Sequence, residues 1–309
     1  MPDKITVICV RSLSYTGTTW INAVLGCHEK ALALGPADRI WDIANGRQPG
    51  PACLVHGAEC DFWEDFLASY TPEKNLFVEL AAYSGKTHFV TNNLLPDGAA
   101  TQLQHPDIET KYIQVVRDGR ALAESFSRKF PDKAFVQAIT EFLQPSFHHF
   151  LFDEGDPDLL CLRYEDVVAD QTGFLEKAGR YVGLDYDEKS LRYWEWPLHL
   201  ISGNQGMIAT IRLGQGLPIA DFNGHEFYRE QFEKMKNGEH VFKDDRVKSL
   251  SRFDRFVFDA LAGEDNERFG YERDRFTTSE IREFLPLVRQ AHEVGKIPES
   301  FMQAFDLSL

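Results

Sequence analysis

Two stretches of the chain carry residue types that grip phosphate. The first is Ser12-Leu13-Ser14-Tyr15-Thr16-Gly17-Thr18-Thr19-Trp20, small and hydroxylated residues set directly behind the apolar run Ile5–Val10. It has the length of a nucleotide-triphosphate loop, G-x-x-x-x-G-K-[ST], but carries Ser12 in place of the first Gly and Thr18 in place of the Lys. Backbone N–H groups at a helix start, together with the helix dipole, favour an anion. Without the Lys, such a loop suits a terminal 5′-phosphate better than a β/γ-phosphate pair. The second stretch is Arg117-Asp118-Gly119-Arg120, followed by Ser125 eight residues after Arg117. Arginine presents a bidentate fork to phosphate oxygens, and a serine hydroxyl two helical turns on adds a further donor.

Two further groups bear on chemistry. Cys53, His56 and Cys60 have the types of metal ligands, but a structural zinc site normally has four, and no fourth is obvious nearby. Free cysteines packed under a loop are the favoured reading, and no metal site is assigned. His88 is a neutral-pH base by type, although a core histidine is an equal reading; His56 and Glu59 are runners-up.

The elements that must position these residues alternate. Apolar runs at Ile5–Val10, Ala31–Leu34, Thr87–Thr91, Lys111–Val116 and Leu159–Leu162 read as strands, and the first and fourth run straight into helical patterns. That order predicts an α/β fold, a parallel β-sheet flanked by helices, with Arg117 at the carboxyl end of its strand, where open sheets bind ligands. Asp118 is placed as the cap of the following helix, and Asp97 as another. Residues 36–70 are expected to form a lid or insert, because prolines and glycines crowd between Gly46 and Gly57. An aromatic-rich helix is expected over 132–152, kinked at Pro145, with His148 and His149 as packing or surface residues. Gly173–Val182 is read as a helix ending at Gly183, and 199–216 as a ligand-covering stretch. Asp244–Leu261 and Thr277–Val294 are the best helices of the last hundred residues. A single domain is expected over 1–275, with a C-terminal helical extension over 276–309.

Composition sets outer limits. The 309 residues are 43% hydrophobic and 26% charged, which places the chain among globular proteins. With 33 basic and 48 acidic residues the net charge is −15. That argues against general binding to nucleic acid or anionic membrane. No apolar run approaches the roughly 20 residues of a membrane span, no leader is visible, and five scattered cysteines fit a reducing, cytoplasmic setting.

Taken together, Tyr15-Thr16-Gly17-Thr18-Thr19-Trp20, Arg117-Asp118-Gly119-Arg120 with Ser125, Arg163-Tyr164-Glu165-Asp166, Cys60-Asp61-Phe62-Trp63 and His199–Asn204 resemble the sulfotransferases that use 3′-phosphoadenosine-5′-phosphosulfate (PAPS), bacterial members above all. The resemblance runs from about Ile5 to Tyr271. It implies a P-loop-like, three-layer sulfotransferase architecture, and transfer of a sulfuryl group to a hydroxyl of a carbohydrate or small-molecule acceptor. Adenosine 3′,5′-bisphosphate would be the product, and no metal would be required. By the same resemblance Ser14, Tyr15, Thr16, Gly17, Thr18, Thr19 and Trp20 would hold the 5′-phosphosulfate. Arg117 and Ser125 would hold the 3′-phosphate, with a smaller share from Arg212, where the family's Arg-Lys-Gly reads Arg212-Leu213-Gly214. The family's Lys or Arg before Ser-Gly-Thr-Thr aligns with Tyr15, which leaves the leaving-group role open between Arg11 and Tyr15. His88 is the expected base. A P-loop small-metabolite kinase and a catalytically degenerate nucleotide-binding homologue stand as alternatives, and a homodimer is one option for assembly.

Overall fold

A computed structural model describes residues 4–49, 53–57, 60–92, 94, 98–131, 135–144, 159–238 and 245–305. The chain divides into two compact units: Met1–Ser12, Gly17–Val115 and Gly155–Phe242 form the first, and Leu13–Thr16, Val116–Glu154 and Lys243–Leu309 the second. No helix among the described residues is long and apolar enough to cross a membrane.

The first unit is built on a five-stranded parallel sheet in the order β2-β3-β1-β4-β5. The strands are β1 (Ile5–Ser12), β2 (Ala31–Gly35), β3 (His88–Asn92), β4 (Ile108–Val116) and β5 (Leu159–Arg163). All five apolar runs of the sequence therefore become strands. β1 is central, paired with β3 on one side and β4 on the other. Its residues Ile5 to Val10 are all buried, as a strand covered on both faces requires. The helix Thr18–Gly26 packs onto the sheet through Ile21, Val24 and Leu25. Asn22, on the same helix, is buried and fully used. Its side-chain amide donates to the Val90 carbonyl at 2.9 Å, and its oxygen accepts from Gly35 N at 3.2 Å. A buried polar group satisfied at both ends locks the helix in register with β2 and β3.

Within residues 36–70, expected as a lid or insert, stands the helix Ala37–Ala44. Residues 205–214, taken as part of a ligand-covering stretch, form the helix Gln205–Gly214, whose Ile208, Ala209 and Ile211 are buried. The helix Gln171–Val182 ends at Gly183 as expected.

The second unit is helical and phenylalanine-rich. Gly119–Lys129, Arg252–Arg268 and Thr278–Glu293 are its long helices. Its core gathers Leu122, Ile139, Phe256, Phe258, Phe284 and Phe305. The helix expected over 244–261 begins only at Arg252, because Ser251 caps it by accepting from Asp254 N at 3.0 Å. Thr277 and Glu280 form a reciprocal capping box for the next helix. Of the helix expected over 132–152, the segments Phe135–Gln137 and Ala138–Leu143 are helical, the latter a π-helical turn. Pro145, His148, His149 and Asp97 lie outside the described residues.

Candidate functional site

The end of β1 and the end of β4 lie side by side, with Ser12 paired to Val115. The chain leaves β1 towards β2 on one side of the sheet, while β4 lies on the other. That reversal marks the crevice where open α/β sheets bind ligands. Within the first unit, Gly17 opens the helix Thr18–Gly26 in a left-handed conformation, φ 86° and ψ 15°. Its N-cap residue, Gly17, has no side chain with which to cap it. A helix start of this kind presents its first N–H groups and the positive end of its dipole. A Cβ on Gly17 would lie 2.8 Å from Tyr164 Cε2. Tyr164, buried at the start of the helix Tyr164–Ala169, thus closes one side of the loop. Gly203 approaches from another side, where a Cβ would lie 3.1 Å from Thr19 Cγ2. The Thr18 hydroxyl is turned back in a very short contact with Ser12 Oγ.

Within the second unit, Leu13–Thr16 and Arg117 are joined directly. Arg117 Nη1 donates to the Tyr15 carbonyl at 2.7 Å. Tyr15 has φ 68°, and among the described residues no other non-glycine residue has a positive φ. Its ring packs edge-on to Phe126 and Phe142, with centroids 6.3 Å and 5.8 Å away. Lys129 Nζ lies 5.6 Å from the ring centroid. Burial raises the Tyr15 phenol above its ordinary pKa, so at neutral pH it keeps its proton as a donor. The Thr16 hydroxyl is fully buried and has no hydrogen-bond partner among the described residues. Ser14 is exposed, and Trp20 is buried in the core of the first unit. Ser125 is buried on the helix Gly119–Lys129.

Asp118 caps that helix through Arg120 N at 2.9 Å. It also holds the Arg120 guanidinium, which reaches Asp274 at 2.8 Å. Of the two arginines in this motif, Arg120 is thereby committed to an internal ion-pair network. Burial tends to raise the Asp274 carboxyl, but hydrogen bonds from Arg255 and Arg120 outweigh that and hold it below the usual carboxylate range.

Solved structures provide an external comparison. No protein-family model and no curated protein sequence matches the chain. The sulfotransferase domain of the Synechococcus PCC 7002 olefin synthase aligns over 88% of this chain and 97% of its own length, with TM-score 0.52 and 16% identity. The chain has the sulfotransferase fold. The sulfotransferase domain of the curacin biosynthetic pathway aligns over 87% of this chain and 99% of its own, with TM-score 0.47 and 14% identity. Mouse sulfotransferase SULT7A1, solved with PAP, aligns over 86% and 88%, with TM-score 0.47 and 15% identity.

In this sulfotransferase fold three further expected residues, His88, Arg11 and Arg212, have their own surroundings. His88 is the first residue of β3 and pairs with Thr6 of β1, six residues before Ser12. At about 3.3 Å per residue that is roughly 20 Å from the loop, at the opposite edge of the sheet. Its Nδ1 lies 2.9 Å from Thr87 Oγ1 and its Nε2 3.2 Å from the Val182 carbonyl. Burial also lowers its pKa. His88 is thus placed as a packed residue at the start of β3. Arg11 alternates with Ser12 and so points to the other face of β1, where its guanidinium stacks 4.0 Å from the Tyr112 ring centroid. Arg212 sits in the last turn of the helix Gln205–Gly214, with Nη1 3.5 Å from Asp221 and its guanidinium 5.2 Å from the Phe222 ring centroid. Its Nε is buried without a hydrogen-bond partner among the described residues.

The structure also gathers four residues that the sequence keeps apart. Cys53, His56 and Cys60 meet His199, 139 residues beyond Cys60. The sequence lacked a fourth group because local spacing says nothing about His199. Its ring stacks on Phe62 at 4.6 Å, and its carbonyl accepts from Trp63 Nε1 at 2.6 Å. Burial, and then the neighbouring His56, lower the His199 imidazole to about 4, so it is neutral at physiological pH. Glu59 lies outside the described residues.

Proposed function

We propose that the protein is a sulfotransferase, taking the sulfuryl group from PAPS and passing it to a hydroxyl of a carbohydrate or small-molecule acceptor. One observation carries this reading: the uncapped helix start at Gly17, left-handed and closed against Tyr164, directly behind a buried central strand. Such a start is an anion seat. The buried Thr16 hydroxyl, without a hydrogen-bond partner among the described residues, is a second polar group that fits an oxygen-rich ligand. The sulfotransferase fold of the chain agrees with this choice over a kinase, and Thr18 in the place of the kinase lysine points the same way.

In this reading the loop from Ser14 to Trp20 takes the 5′-phosphosulfate, and Arg117 with Ser125 takes the 3′-phosphate, with Arg212 as a lesser contributor. The acceptor oxygen attacks sulfur as the bond from sulfur to the bridging oxygen breaks. The electron pair of that bond stays on the 5′-phosphate, and the acceptor proton leaves to a base. Helix N–H groups aimed at the phosphate stabilise the charge that develops there. Of the two candidates for the leaving-group role, Arg11 and Tyr15, this reading takes Tyr15, whose phenol is a neutral donor. The base is not assigned to His88.

Calorimetric titration with adenosine 3′,5′-bisphosphate, against ATP and 5′-AMP, tests the reading. Preferential binding of the bisphosphate supports it. Binding of magnesium–ATP alone replaces it with a kinase.

The packing of Tyr15 favours a second reading, a nucleotide-binding homologue without turnover. Its ring is held by Phe126 and Phe142, and no cation replaces the family's Lys or Arg at its own position. Bisphosphate binding without sulfuryl transfer to any of a broad panel of hydroxyl acceptors would select it.

A further inference from the structure

We propose that Cys53, His56, Cys60 and His199 form a closed, structural zinc site. The proposal is independent of the sulfotransferase reading and rests on the first unit alone. One ligand atom from each residue lies within 4.8 Å of all the others. Cys53 Sγ is 3.5 Å from His56 Nδ1, and Cys60 Sγ is 3.2 Å from His199 Nδ1. Ligands at about 2.0–2.3 Å from a tetrahedral zinc stand roughly 3.3–3.8 Å from one another. The sulfur–nitrogen distances thus already approach those of a filled Cys2His2 shell.

The orientation of His56 gives independent support. Gln215 Nε2 donates to the Trp196 carbonyl at 2.8 Å, which fixes the side-chain amide and leaves Oε1 as an acceptor. That oxygen lies 2.9 Å from His56 Nε2. The His56 proton is therefore on Nε2, and Nδ1 offers its lone pair to the cluster. A histidine held by a carbonyl on its far nitrogen is the usual outer support of a metal ligand. A pair of thiol–imidazole hydrogen bonds accounts for each Cys–His contact separately, but gives no reason for all four atoms to converge.

The surroundings are built to hold the group. Gly57 N donates to the Cys53 carbonyl at 2.7 Å and Cys60 N to the Gly57 carbonyl at 3.3 Å, so the segment folds back on itself. Leu54 N donates to the Leu200 carbonyl at 2.7 Å, which fixes this turn beside His199. Two thiolates and two imidazoles select zinc among the common divalent ions, and four protein ligands leave no open position for catalysis. Uptake of Zn²⁺ displaces the two thiol protons, so the filled site has no net charge. The ion would fasten the segment 53–60 to His199, four residues before Gly203, which closes on Thr19.

The test is the metal content of untagged protein, together with the visible spectrum of its Co²⁺-substituted form. We expect one zinc per chain and the intense d–d and thiolate charge-transfer bands of tetrahedral cobalt. Cys60→Ser and His199→Ala should lose both, while Cys161→Ser, at an exposed cysteine outside the cluster, should keep both. Should the cluster variants fail to fold, wild-type protein still decides: chelation should lower its Tm and raise the rapidly reacting thiols from Cys161 alone to include Cys53 and Cys60. Metal-free protein that gives no cobalt bands overturns the proposal, as does a Cys53–Cys60 disulfide found by mass spectrometry.

Discussion

Arg117, the first residue after β4, donates from Nη1 to the carbonyl of Tyr15 at 2.7 Å, in the loop that follows β1. The arginine proposed as a phosphate ligand is thus also a brace for the segment Leu13–Thr16. A guanidinium has five donors in a planar fork, so one can hold the carbonyl while others face a ligand.

Arg117→Ala is therefore expected to weaken adenosine 3′,5′-bisphosphate binding by about 1.5–3 kcal/mol, the usual range for a hydrogen bond to a charged group. It should also weaken 5′-AMP, which has no 3′-phosphate, because the Tyr15 carbonyl loses its donor. Titration of both nucleotides separates the two roles. Loss confined to the bisphosphate would leave the brace without consequence, and unchanged affinity for both would remove Arg117 from the site.

Gly17→Ala places a Cβ at φ 86° and 2.8 Å from the Tyr164 ring. A side chain in the left-handed region costs about 1–2 kcal/mol before any clash. We expect a lower urea midpoint and loss of bisphosphate binding. Tyr164→Leu in the same chain should recover part of the stability but not the φ penalty. A variant as stable as wild type would show that the loop is not held against Tyr164.

How far these residues could be read in advance depended on whether their signal was local. All five strands were legible because each is a short apolar run closed by polar or turn residues, and the helix after β1 because Trp20, Ile21, Val24 and Leu25 repeat with its period. Ala37–Ala44 has apolar residues at 37, 40, 41 and 44, a readable helical face, but the glycines and prolines just beyond it pulled the reading towards loop. Ser251 and Asp254 form a cap signal that would have moved the start of the late helix to Arg252. The surroundings of His88 were not legible for another reason. Its type is that of a base, but only the pairing of β3 with β1 reveals which edge of the sheet it occupies. His199 joins Cys60 across 139 residues, a relation that spacing cannot carry.

The Arg120 network predicts a dependence on pH. Arg120 and Asp274 are both largely buried, and removing one partner of such a pair costs about 3–5 kcal/mol. Asp274→Asn should therefore destabilise the folded chain at pH 7. The Asp274 carboxyl is depressed in the folded state. Its contribution is thus present above the ordinary aspartate pKa of about 3.9 and lost as pH falls through the folded value. Urea unfolding of wild type and variant should show a gap at pH 7 that narrows below about pH 4. A gap independent of pH would assign the loss to packing rather than to charge.

Tyr15→Phe isolates the Tyr15 hydroxyl. Phenylalanine keeps the edge-on contacts with Phe126 and Phe142, so the fold and the loop conformation should persist. If the phenol donates to the departing phosphate, the lost bond matters in the transition state more than in the bound donor. Removal of one such donor typically costs about 10²–10³-fold in kcat. We expect sulfuryl transfer to slow on that order while the bisphosphate Kd changes by less than about twofold, roughly 0.4 kcal/mol on the scale where 1.4 kcal/mol is tenfold. Single-turnover transfer and calorimetry, run on the same preparation, measure the two quantities. An unchanged transfer rate would take the leaving group away from Tyr15. It would turn attention to Lys129, the last residue of the helix Gly119–Lys129, whose ammonium lies 5.6 Å from the same ring.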